Sequence, residues 1–422
     1  MVYVLVVIVA AAVTWILTFL VRAAAHRYRF VVSPGGRMVH TQPTPTLGGL
    51  AMAGGFLCAF GFAWLVPSFR PIFSHSSEPL GVVIAALVIT AVGALDDVFD
   101  VSAPAKLAGQ ILSSSMLWIF GATMFWFKLP FAGIVVLSAS IIPLLTAIWV
   151  VAMENAVNLI DGLDGLAGGI VAIASLAFGI YALKLEDLGQ LPVNSLGPLI
   201  AFAVFGICLG FLPHNFHPAR IFMGDTGAML LGLLMAASTS LVGGRTTGVA
   251  DQTFFFFAPL FIPFLILGVP MLDLIFAVIR RTARRASVSS PDKDHLHHRL
   301  MQMGHGHLRS VLIMWSWTAV LAGIALVPTF FNQSRAELPF IVAALAITLY
   351  TLFRPGLRGR HARKRTNDTD EFGTEADATS DSSSSGNDGM AFQPAFQVGK
   401  YVDETHSTDL PRNGGGETGE PR

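Results

Sequence analysis

Long apolar runs recur along the first 353 residues, and they restrict the fold more than any other feature of the sequence. A helix that spans a bilayer needs about 20 mostly apolar residues. Hydrophobic residues make up 53% of the chain and charged residues only 13%, whereas a soluble domain has roughly 25% charged residues. The sequence therefore predicts an all-α fold, a polytopic integral membrane helix bundle with about eleven transmembrane helices. The predicted spans are residues 2–21, 47–66, 79–95, 107–127, 133–152, 166–183, 195–213, 226–243, 254–279, 309–331 and 337–353.

The distribution of Lys and Arg between the loops predicts the orientation, because cytoplasmic loops carry an excess of these residues. With the N-terminus outside, the basic residues of the inside loops are Arg22, Arg27, Arg29, Arg37, Lys106, Arg220, Arg280, Arg281, Arg284, Arg285, Lys293 and Arg299. Those of the outside loops are only Arg70, Lys128, Lys184, Arg245 and Arg335. The same orientation puts the C-terminus inside. There, few aliphatic residues predict a disordered tail at 356–422, after a transmembrane domain at 1–355.

Net charge and cysteine content bear on two other classes of protein. The formal net charge is zero, so nothing indicates binding to nucleic acid. Cys58 and Cys208 both lie within apolar runs, which predicts buried thiols without a disulfide.

The stretch Asn155–Gly169 reads NAVNLIDGLDGLAGG and places four polar side chains beside an apolar run. Asn155, Asn158, Asp161 and Asp164 follow one another at intervals of three residues. Such residues drift around an α-helix by roughly 60° per step, whereas a 3₁₀-like turn or a helix broken at its Asp-Gly pairs keeps them on one side. A polar loop with capping residues is the simple alternative. Four acceptors without a basic residue among them favour a site for a cation or a donor-rich ligand.

Three aspartates, Asp96, Asp97 and Asp100, end the third predicted span. Asp96 and Asp100 would share a helix face, so they need a positive group between them. Mg²⁺ with a diphosphate meets that need, because Mg²⁺ commonly binds one or two carboxylates together with substrate phosphates. Solvation of a helix end near a positive loop is the alternative.

Asp225 follows Gly224 in the stretch HNFHPARIFMGDTG, residues 214–227, directly before another span. It is either a functional carboxylate or only the N-cap of a helix. Arg220, in the same stretch, is suited to binding a phosphate or pairing with a carboxylate.

The longest predicted inside loop contains RRTARR at 280–285 and PDKDHLHHRL at 291–300. The three histidines of the second stretch are too close together to face one ion easily, and no cysteine is near, which disfavours zinc. Phosphate binding or proton handling suits them better, although the arginines alone also fit membrane anchors. Asp273, within the ninth predicted span, is either a functional intramembrane carboxylate or a partner in a helix–helix hydrogen bond.

All these polar clusters apart from Asp273 lie in loops predicted to be inside, which favours one site assembled from several loops. Two other classes fit less well. An intramembrane prenyltransferase would need a second Asp-rich DDxxD-like motif, for which DGLDG is a poor substitute. A transporter would place polar groups near the midpoints of its spans rather than at their ends.

Together these stretches resemble the polyprenyl-phosphate N-acetylhexosamine-1-phosphate transferases, a family that includes phospho-N-acetylmuramoyl-pentapeptide transferase. The resemblance runs from about Thr46 to Leu300 and includes LGG (47–49), LDDVFD with Lys106, Asn155–Gly169, RIFMGDTG (220–227) and DHLHHRL (294–300). It implies transfer of N-acetylglucosamine-1-phosphate from UDP-N-acetylglucosamine to a polyprenyl phosphate, with release of UMP. HLHH is similar to the N-acetylglucosamine branch, and another UDP-N-acetylhexosamine or UDP-N-acetylmuramoyl-pentapeptide is the alternative donor.

The resemblance also implies roles for individual residues. The implied ligands of Mg²⁺, or of Mn²⁺ in its place, are Asp225 and Asn158. The implied catalytic residues are Asp96 and Asp97 beside the lipid phosphate, with Asp97 as base, Lys106 as a phosphate clamp, and His297. The implied substrate-binding residues are Asn155, Asp161, Asp164, Arg220, His295, His298 and Arg299. The implied setting is the bacterial plasma membrane, with a cytoplasmic site for a UDP-sugar and a polyprenyl phosphate. A homodimer and a covalent phospho-aspartate route are left open.

Overall fold

The computed structural model describes residues 2–28, 30–32, 44–129, 133–243, 306–330 and 338–351. Its α-helices are α1 (Val2–Arg27), α2 (Gly48–Leu65), α3 (Arg70–His75), α4 (Glu78–Phe99), α5 (Ala103–Ile119), α6 (Ile142–Ile160), α7 (Leu166–Asp187), α8 (Leu196–Asn215), α9 (Gly224–Gly243), α10 (His307–Phe330) and α11 (Leu338–Thr351). Two short antiparallel strand pairs accompany them, β1 (Val31–Val32) with β2 (Thr44–Pro45) and β3 (Trp126–Leu129) with β4 (Gly133–Val136). Val31 lies opposite Pro45, and Trp126 lies opposite Val136.

Eight of the described helices are long and apolar enough to cross a membrane, judged by length and composition. They are α1, α2, α4, α6, α7, α8, α9 and α10. The predicted membrane helix bundle is thereby confirmed, but the predicted number of eleven spans is not. The predicted span at 254–279 and the predicted tail at 356–422 lie outside the described residues.

The predicted span at 133–152 is wrong in its position. Residues 133–136 form β4, and α6 begins only at Ile142 and continues to Ile160. The run Gly133–Val136 is rich in β-branched residues, which favour strands, and periodicity alone does not separate a short apolar strand from part of a helix. The shift places Asn155 and Asn158 within the last two turns of α6 rather than beyond the span.

The helix α9 lies at the centre of the bundle, in contact with α2, α4, α6 and α8. Every residue from Thr226 to Val242 is buried, as expected for a helix that is apolar around its whole circumference. Its polar side chains form hydrogen bonds to other groups of the protein. The hydroxyl of Ser238, for example, donates to the carbonyl oxygen of Gly197 at 2.7 Å. Because other helices surround α9, its N-terminal end lies beside the ends of those helices.

The helix α1 lies at the periphery of the described bundle. Its buried residues Tyr3, Val6, Ala10, Thr14 and Thr18 recur every three or four positions and form the face that packs against α2 and α8. Large apolar side chains on its other sides are exposed. Such a surface is expected of a helix that contacts lipid.

The two cysteines differ in their surroundings. Cys208 is buried in α8, as predicted, but Cys58 is exposed on α2, so the prediction of a buried thiol is wrong there. A position that faces lipid is as apolar in sequence as a position in the core, and composition therefore does not separate the two. Both cysteines are free thiols, which confirms the predicted absence of a disulfide between them.

Candidate active site

The N-terminus of α9 is capped by a carboxylate from another helix. Asp97, near the end of α4, accepts a hydrogen bond through Oδ1 from the backbone N–H of Asp225 at 2.9 Å. Its Oδ2 accepts from the backbone N–H of Thr226 at 3.1 Å and from the Thr226 hydroxyl at 2.5 Å. Gly224 has a φ of +67°, and a side chain there would collide with the Asp97 carboxylate. Because the first N–H groups of a helix lack intrahelical partners and favour anions, Asp97 fixes the position of Asp225.

Asp225, in the first turn of α9, is the side chain on which the other polar groups converge. Nδ2 of Asn158, on α6, donates to its Oδ1 at 2.8 Å. Lys106, at the start of α5, forms an ion pair with Asp225 and another with Asp96, whose Oδ2 lies 2.8 Å from the ammonium nitrogen. Four helices, α4, α5, α6 and α9, therefore meet at Asp225. The cap at the start of α9 is supplied by Asp97, and the Asp225 side chain instead faces Lys106 and Asn158.

The acidic run at the end of α4 is arranged differently from the prediction. Asp100 does not share a helix face with Asp96, because it ends α4 in the left-handed conformation, with a φ of 52°. It is also exposed. Asp96 accepts a hydrogen bond from the backbone N–H of Val101 at 2.8 Å through Oδ1 and binds Lys106 through Oδ2. In this structure the positive group beside Asp96 is Lys106.

The LGG stretch, residues 47–49, positions the loop that precedes Asp225. The backbone N–H of Gly48 donates to the carbonyl oxygen of Phe222 at 2.9 Å, and that of Gly49 donates to the carbonyl oxygen of Met223 at 2.9 Å. Both donors are N–H groups of the first turn of α2, which have no carbonyl partner within their own helix. The LGG motif therefore contributes to the site through its backbone.

The turn that connects α6 and α7, residues 161–165, is attached to the α8–α9 loop through Asp164. The side chain of Asp164 is fully buried, and its Oδ2 accepts from the backbone N–H of Ala219 at 3.1 Å. The same oxygen lies 2.7 Å from Nδ1 of His217 and 3.9 Å from Nε2 of His307. The two imidazole rings are stacked with their centroids 4.2 Å apart. Asp164 thus joins three segments of the chain.

Asn215, the last residue of α8, provides a second connection to the same turn. Its Oδ1 accepts from the backbone N–H of Gly165 at 2.9 Å, and its Nδ2 donates to the carbonyl oxygen of Ile221 at 2.9 Å. Gly165 has a φ of +75°, which reverses the chain at the start of α7. The predicted break at the Asp-Gly pairs is confirmed, because α6 ends at Ile160 and α7 begins at Leu166.

Asp161 lies at the start of this turn, outside the spans. Burial raises the pKa of its carboxyl, and the negative charges of Asp225, Asp97 and Asp164 raise it further, to about 8. At pH 7 this raised pKa favours the protonated carboxyl. A cation placed among these four side chains would favour the ionised form.

Comparison with known proteins identifies the family. The sequence pattern of glycosyl transferase family 4 matches residues 79–243, from α4 to the end of α9. A decaprenyl-phosphate N-acetylglucosaminephosphotransferase of Mycobacterium leprae is 40% identical over 357 residues, which cover 83% of this chain and 89% of the relative. The chain belongs to glycosyl transferase family 4.

Two further relatives of this family 4 protein carry different names. A probable undecaprenyl-phosphate N-acetylglucosaminyl 1-phosphate transferase of Bacillus subtilis is 35% identical, over 73% of this chain and 80% of the relative. A phospho-N-acetylmuramoyl-pentapeptide-transferase of Desulforudis audaxviator is 34% identical, over 76% of this chain and 97% of the relative. Relatives at about the same identity are thus named for each of the two sugar donors considered for this chain, N-acetylglucosamine and N-acetylmuramoyl-pentapeptide.

The structure brings together a large part of the site predicted for this family 4 protein. The predicted residues in direct contact with Asp225 are Asp96, Asp97, Lys106 and Asn158, and Lys106 also pairs with Asp96. Asn155 instead donates from Nδ2 to Oε1 of Gln110 at 3.0 Å. The side chain of Arg220 is exposed, and among the described residues it makes no hydrogen bond or ion pair. The predicted residues His295, His297, His298 and Arg299, together with Asp273, lie outside the described residues.

Several polar residues of this region were not predicted from the sequence. Gln110 on α5 and Glu154 on α6 lie where these two helices face each other, and His217 and His307 lie beside Asp164. Glu154 carried a usable signal, because it is an acidic residue within an apolar run and directly precedes Asn155. The two histidines carried none, since a single histidine near a helix end is common.

The donor groups around Asp225 fit Mg²⁺. Asp96, Asp161 and Asp225 offer carboxylate oxygens and Asn158 offers an amide oxygen, and Mg²⁺ prefers such hard oxygen ligands. The described partners of the Asp225 side chain include no sulfur atom and no imidazole nitrogen. Lys106 is the cation in direct contact with Asp96 and Asp225 among the described residues, so carboxylates are in excess there.

Proposed function

We propose that the protein transfers N-acetylglucosamine-1-phosphate from UDP-N-acetylglucosamine to a polyprenyl phosphate and releases UMP. The names of the relatives from M. leprae and B. subtilis support this reaction. The observation that carries the proposal is the convergence of Lys106, Asn158 and the Asp97 cap on Asp225 at the meeting point of four helices. The distribution of Lys and Arg supports a multi-pass protein of the bacterial plasma membrane whose site faces the cytoplasm.

The proposed reaction joins two anions. An oxygen of the lipid monophosphate attacks the β-phosphorus of the UDP-sugar and forms a diphosphate. The bond from that phosphorus to the bridging oxygen breaks, and UMP leaves with this oxygen. Neutralisation of charge and positioning of the reactants are the main contributions that a protein makes to such a reaction. Lys106 is suited to both, because Asp96 and Asp225 hold its ammonium group at the site.

Asp225 and Asn158 are the proposed ligands of Mg²⁺, for which Mn²⁺ can substitute. When bound, Mg²⁺ neutralises negative charge on the phosphoryl group being transferred. Asp97 holds the backbone of Asp225 in place, and Asp96 orients Lys106. Asp161 and Asp164 form the nucleotide side of the proposed site. The proposed ligands for the sugar-phosphate end are His295, His297, His298 and Arg299.

The first expected result concerns the donor. Membranes that contain the protein should release UMP from UDP-N-acetylglucosamine when polyprenyl phosphate and Mg²⁺ are added, and they should release none when the lipid is omitted. The muramoyl-pentapeptide nucleotide should not be used. Membranes without the protein provide the control, and UMP release is followed with time. Equal turnover of the two donors would contradict the assignment to the N-acetylglucosamine branch.

The second expected result concerns pH and Asp161. Because the pKa of Asp161 is about 8, Mg²⁺ that binds nearby must displace the proton, and its binding should strengthen as pH rises toward 8. The limit for one released proton is about a tenfold change in affinity per pH unit. The concentration of Mg²⁺ for half-maximal UMP release should therefore fall as pH is raised from about 6.5 to 8. Asp161→Asn should flatten this dependence, and an unchanged slope in that variant would show that another group releases the proton.

A further inference from the structure

Three layers of polar contacts extend from the proposed site into the bundle between α5, α6 and α9, and we call them the polar ladder. The first layer contains Lys106, Asn158 and Asp225. The second contains Gln110, whose Oε1 accepts from Asn155 at 3.0 Å and whose Nε2 lies 3.7 Å from Sδ of Met229. The third contains Ser113, Glu154 and Gly232.

The spacing of these residues follows the helical repeat. On α5 the three layers use Lys106, Gln110 and Ser113, at intervals of four and three residues. On α9 they use Asp225, Met229 and Gly232, at the same intervals. At a rise of 1.5 Å per residue, the third layer lies about 10 Å below the first along α5. Glu154 lies within α6, and among the described residues its side chain makes no hydrogen bond to Lys106, Asn158 or Asp225.

Glu154 is the acidic residue at the inner end of the ladder, and its side chain has a single described partner. It has no exposed surface, and its Oε1 lies 3.2 Å from the hydroxyl oxygen of Ser113. Among the described residues, its Oε2 has no hydrogen-bond partner. A carboxylate ion in such surroundings is costly unless it is paired.

A count of hydrogens shows which form of Glu154 fits its contacts. The Ser113 hydroxyl has one hydrogen and lies within bonding distance of two oxygens, the Gln110 carbonyl oxygen at 2.8 Å and Glu154 Oε1 at 3.2 Å. One hydrogen cannot point straight at both oxygens, so two well-directed hydrogen bonds require that Ser113 donate to Gln110 and that Glu154 donate to Ser113. Glu154 must then hold its own proton.

The packing beside Glu154 connects it to α9. Gly232 lies directly against the backbone of Glu154, and a Cβ at Gly232 would collide with it. The two helices thus approach closely at the third layer, where glycine leaves room for the backbone of Glu154. Asn158 lies one turn from Glu154 on α6, and Asp225 lies two turns from Gly232 on α9.

We infer that Glu154 is a positioning residue for the transfer reaction. As a neutral acid it bonds α6 to α5 at a point where α6 also packs against α9, and it thereby sets the relative positions of Asn158, Lys106 and Asp225. It touches none of the reacting groups. The inference rests on the proposed function only because its tests measure the rate of the proposed transfer reaction.

Two substitutions at Glu154 test this role. Glu154→Gln retains a neutral donor for Ser113, so kcat should stay within about twofold of the wild-type value and the pH profile should not change. Glu154→Leu has a similar size but no donor. It should lower kcat about tenfold and change KM for UDP-N-acetylglucosamine less than twofold, because a displacement near 1 Å costs up to about a hundredfold in rate. Thr146→Val is the matched control, since the one hydrogen bond of the Thr146 hydroxyl to a described residue lies within α6, at 2.8 Å to the Ile142 carbonyl oxygen.

Ser113, the hydrogen-bond partner of Glu154, provides a second test. Ser113→Ala should also lower kcat about tenfold, and the double variant with Glu154→Leu should be no slower than either single variant, because both remove one interaction. Ser115→Ala is its control, since the exposed Ser115 hydroxyl bonds to the Ile111 carbonyl oxygen of its own helix at 2.7 Å. If Glu154→Leu does not elute as a single species in detergent, Ser113→Ala alone decides.

Each contrary outcome has one meaning. A Glu154→Gln protein as slow as Glu154→Leu would show that an ionised carboxylate is needed, which overturns the neutral-acid role. Wild-type kcat in Glu154→Leu or in Ser113→Ala would overturn positioning. The wild-type protein is assayed first, so an absence of UMP release there would contradict the proposed function, not the role of Glu154.

Discussion

Asp225→Asn is expected to lower the rate of UMP release by at least about a hundredfold, which corresponds to about 2.7 kcal/mol. The substitution preserves size but removes the negative charge that the proposed Mg²⁺ requires. It also removes an ion-pair partner of Lys106, which would face a neutral amide. The measurement is the steady-state rate at several Mg²⁺ concentrations. Added Mg²⁺ or Mn²⁺ should restore part of the rate.

Asp187→Asn is a matched control for Asp225→Asn. Asp187 is exposed at the end of α7 and pairs with Lys184 at 2.9 Å, away from the Asp225 contacts. Its substitution should leave the rate within about twofold, because exposed ion pairs contribute little. A near-wild-type Asp225→Asn protein with unchanged Mg²⁺ dependence would contradict the role of Asp225 as a ligand.

Asp97→Asn is expected to lower the rate by about ten- to a hundredfold at every pH from 6 to 8.5. The Asp97 carboxylate accepts three hydrogen bonds, from two backbone N–H groups and one hydroxyl at the start of α9. An amide has one acceptor oxygen and presents its NH₂ group to the remaining donors. The lost charge-assisted bonds are worth about 1.5–3 kcal/mol, and Asp225 would lose its fixed position. The measurement is the pH–rate profile of the variant beside that of the wild type.

The pH dependence separates positioning from proton transfer at Asp97. A lipid phosphate has a second pKa near 6 and ionises by itself as pH rises. A base would therefore be needed less at pH 8.5, and a defect that shrinks toward pH 8.5 would contradict positioning and support a base. Asp100→Asn is the control. Asp100 is exposed and left-handed, a conformation that Asn also tolerates, so its substitution should leave the rate unchanged.

Much of the fold could be predicted because spans have a simple requirement of length and apolarity. The predicted spans 47–66 and 195–213 coincide closely with α2 and α8. The error at 133–152 arose where a short apolar strand and a helix have the same composition. The burial of individual positions, as at Cys58, could not be predicted, because lipid and protein interior select similar residues.

The residue types of the site could also be predicted, but their partners could not. Spacing along the chain grouped Asn158 with Asp161 and Asp96 with Asp97, and the structure confirms that Asn158 and Asp97 both contact Asp225. The function of Asp97 as a cap depends on the direction in which α4 and α9 meet. Sequence spacing contains no information on that direction. The contact between Asn155 and Gln110 was missed for the same reason.

The arrangement of α4, α5 and α9 has a consequence for biogenesis of the protein. Asp96 and Lys106 lie on consecutive helices, so their ion pair can form as soon as this hairpin has been inserted in the membrane. Asp97 and Asp225 are 128 residues apart, and Lys106 and Asp225 are 119 apart. A nascent chain that has inserted α1 to α8 thus still presents Asp97 without the N–H groups of α9 that it caps. The proposed site is completed only when translation delivers the start of α9, which then takes its position among α2, α4, α6 and α8.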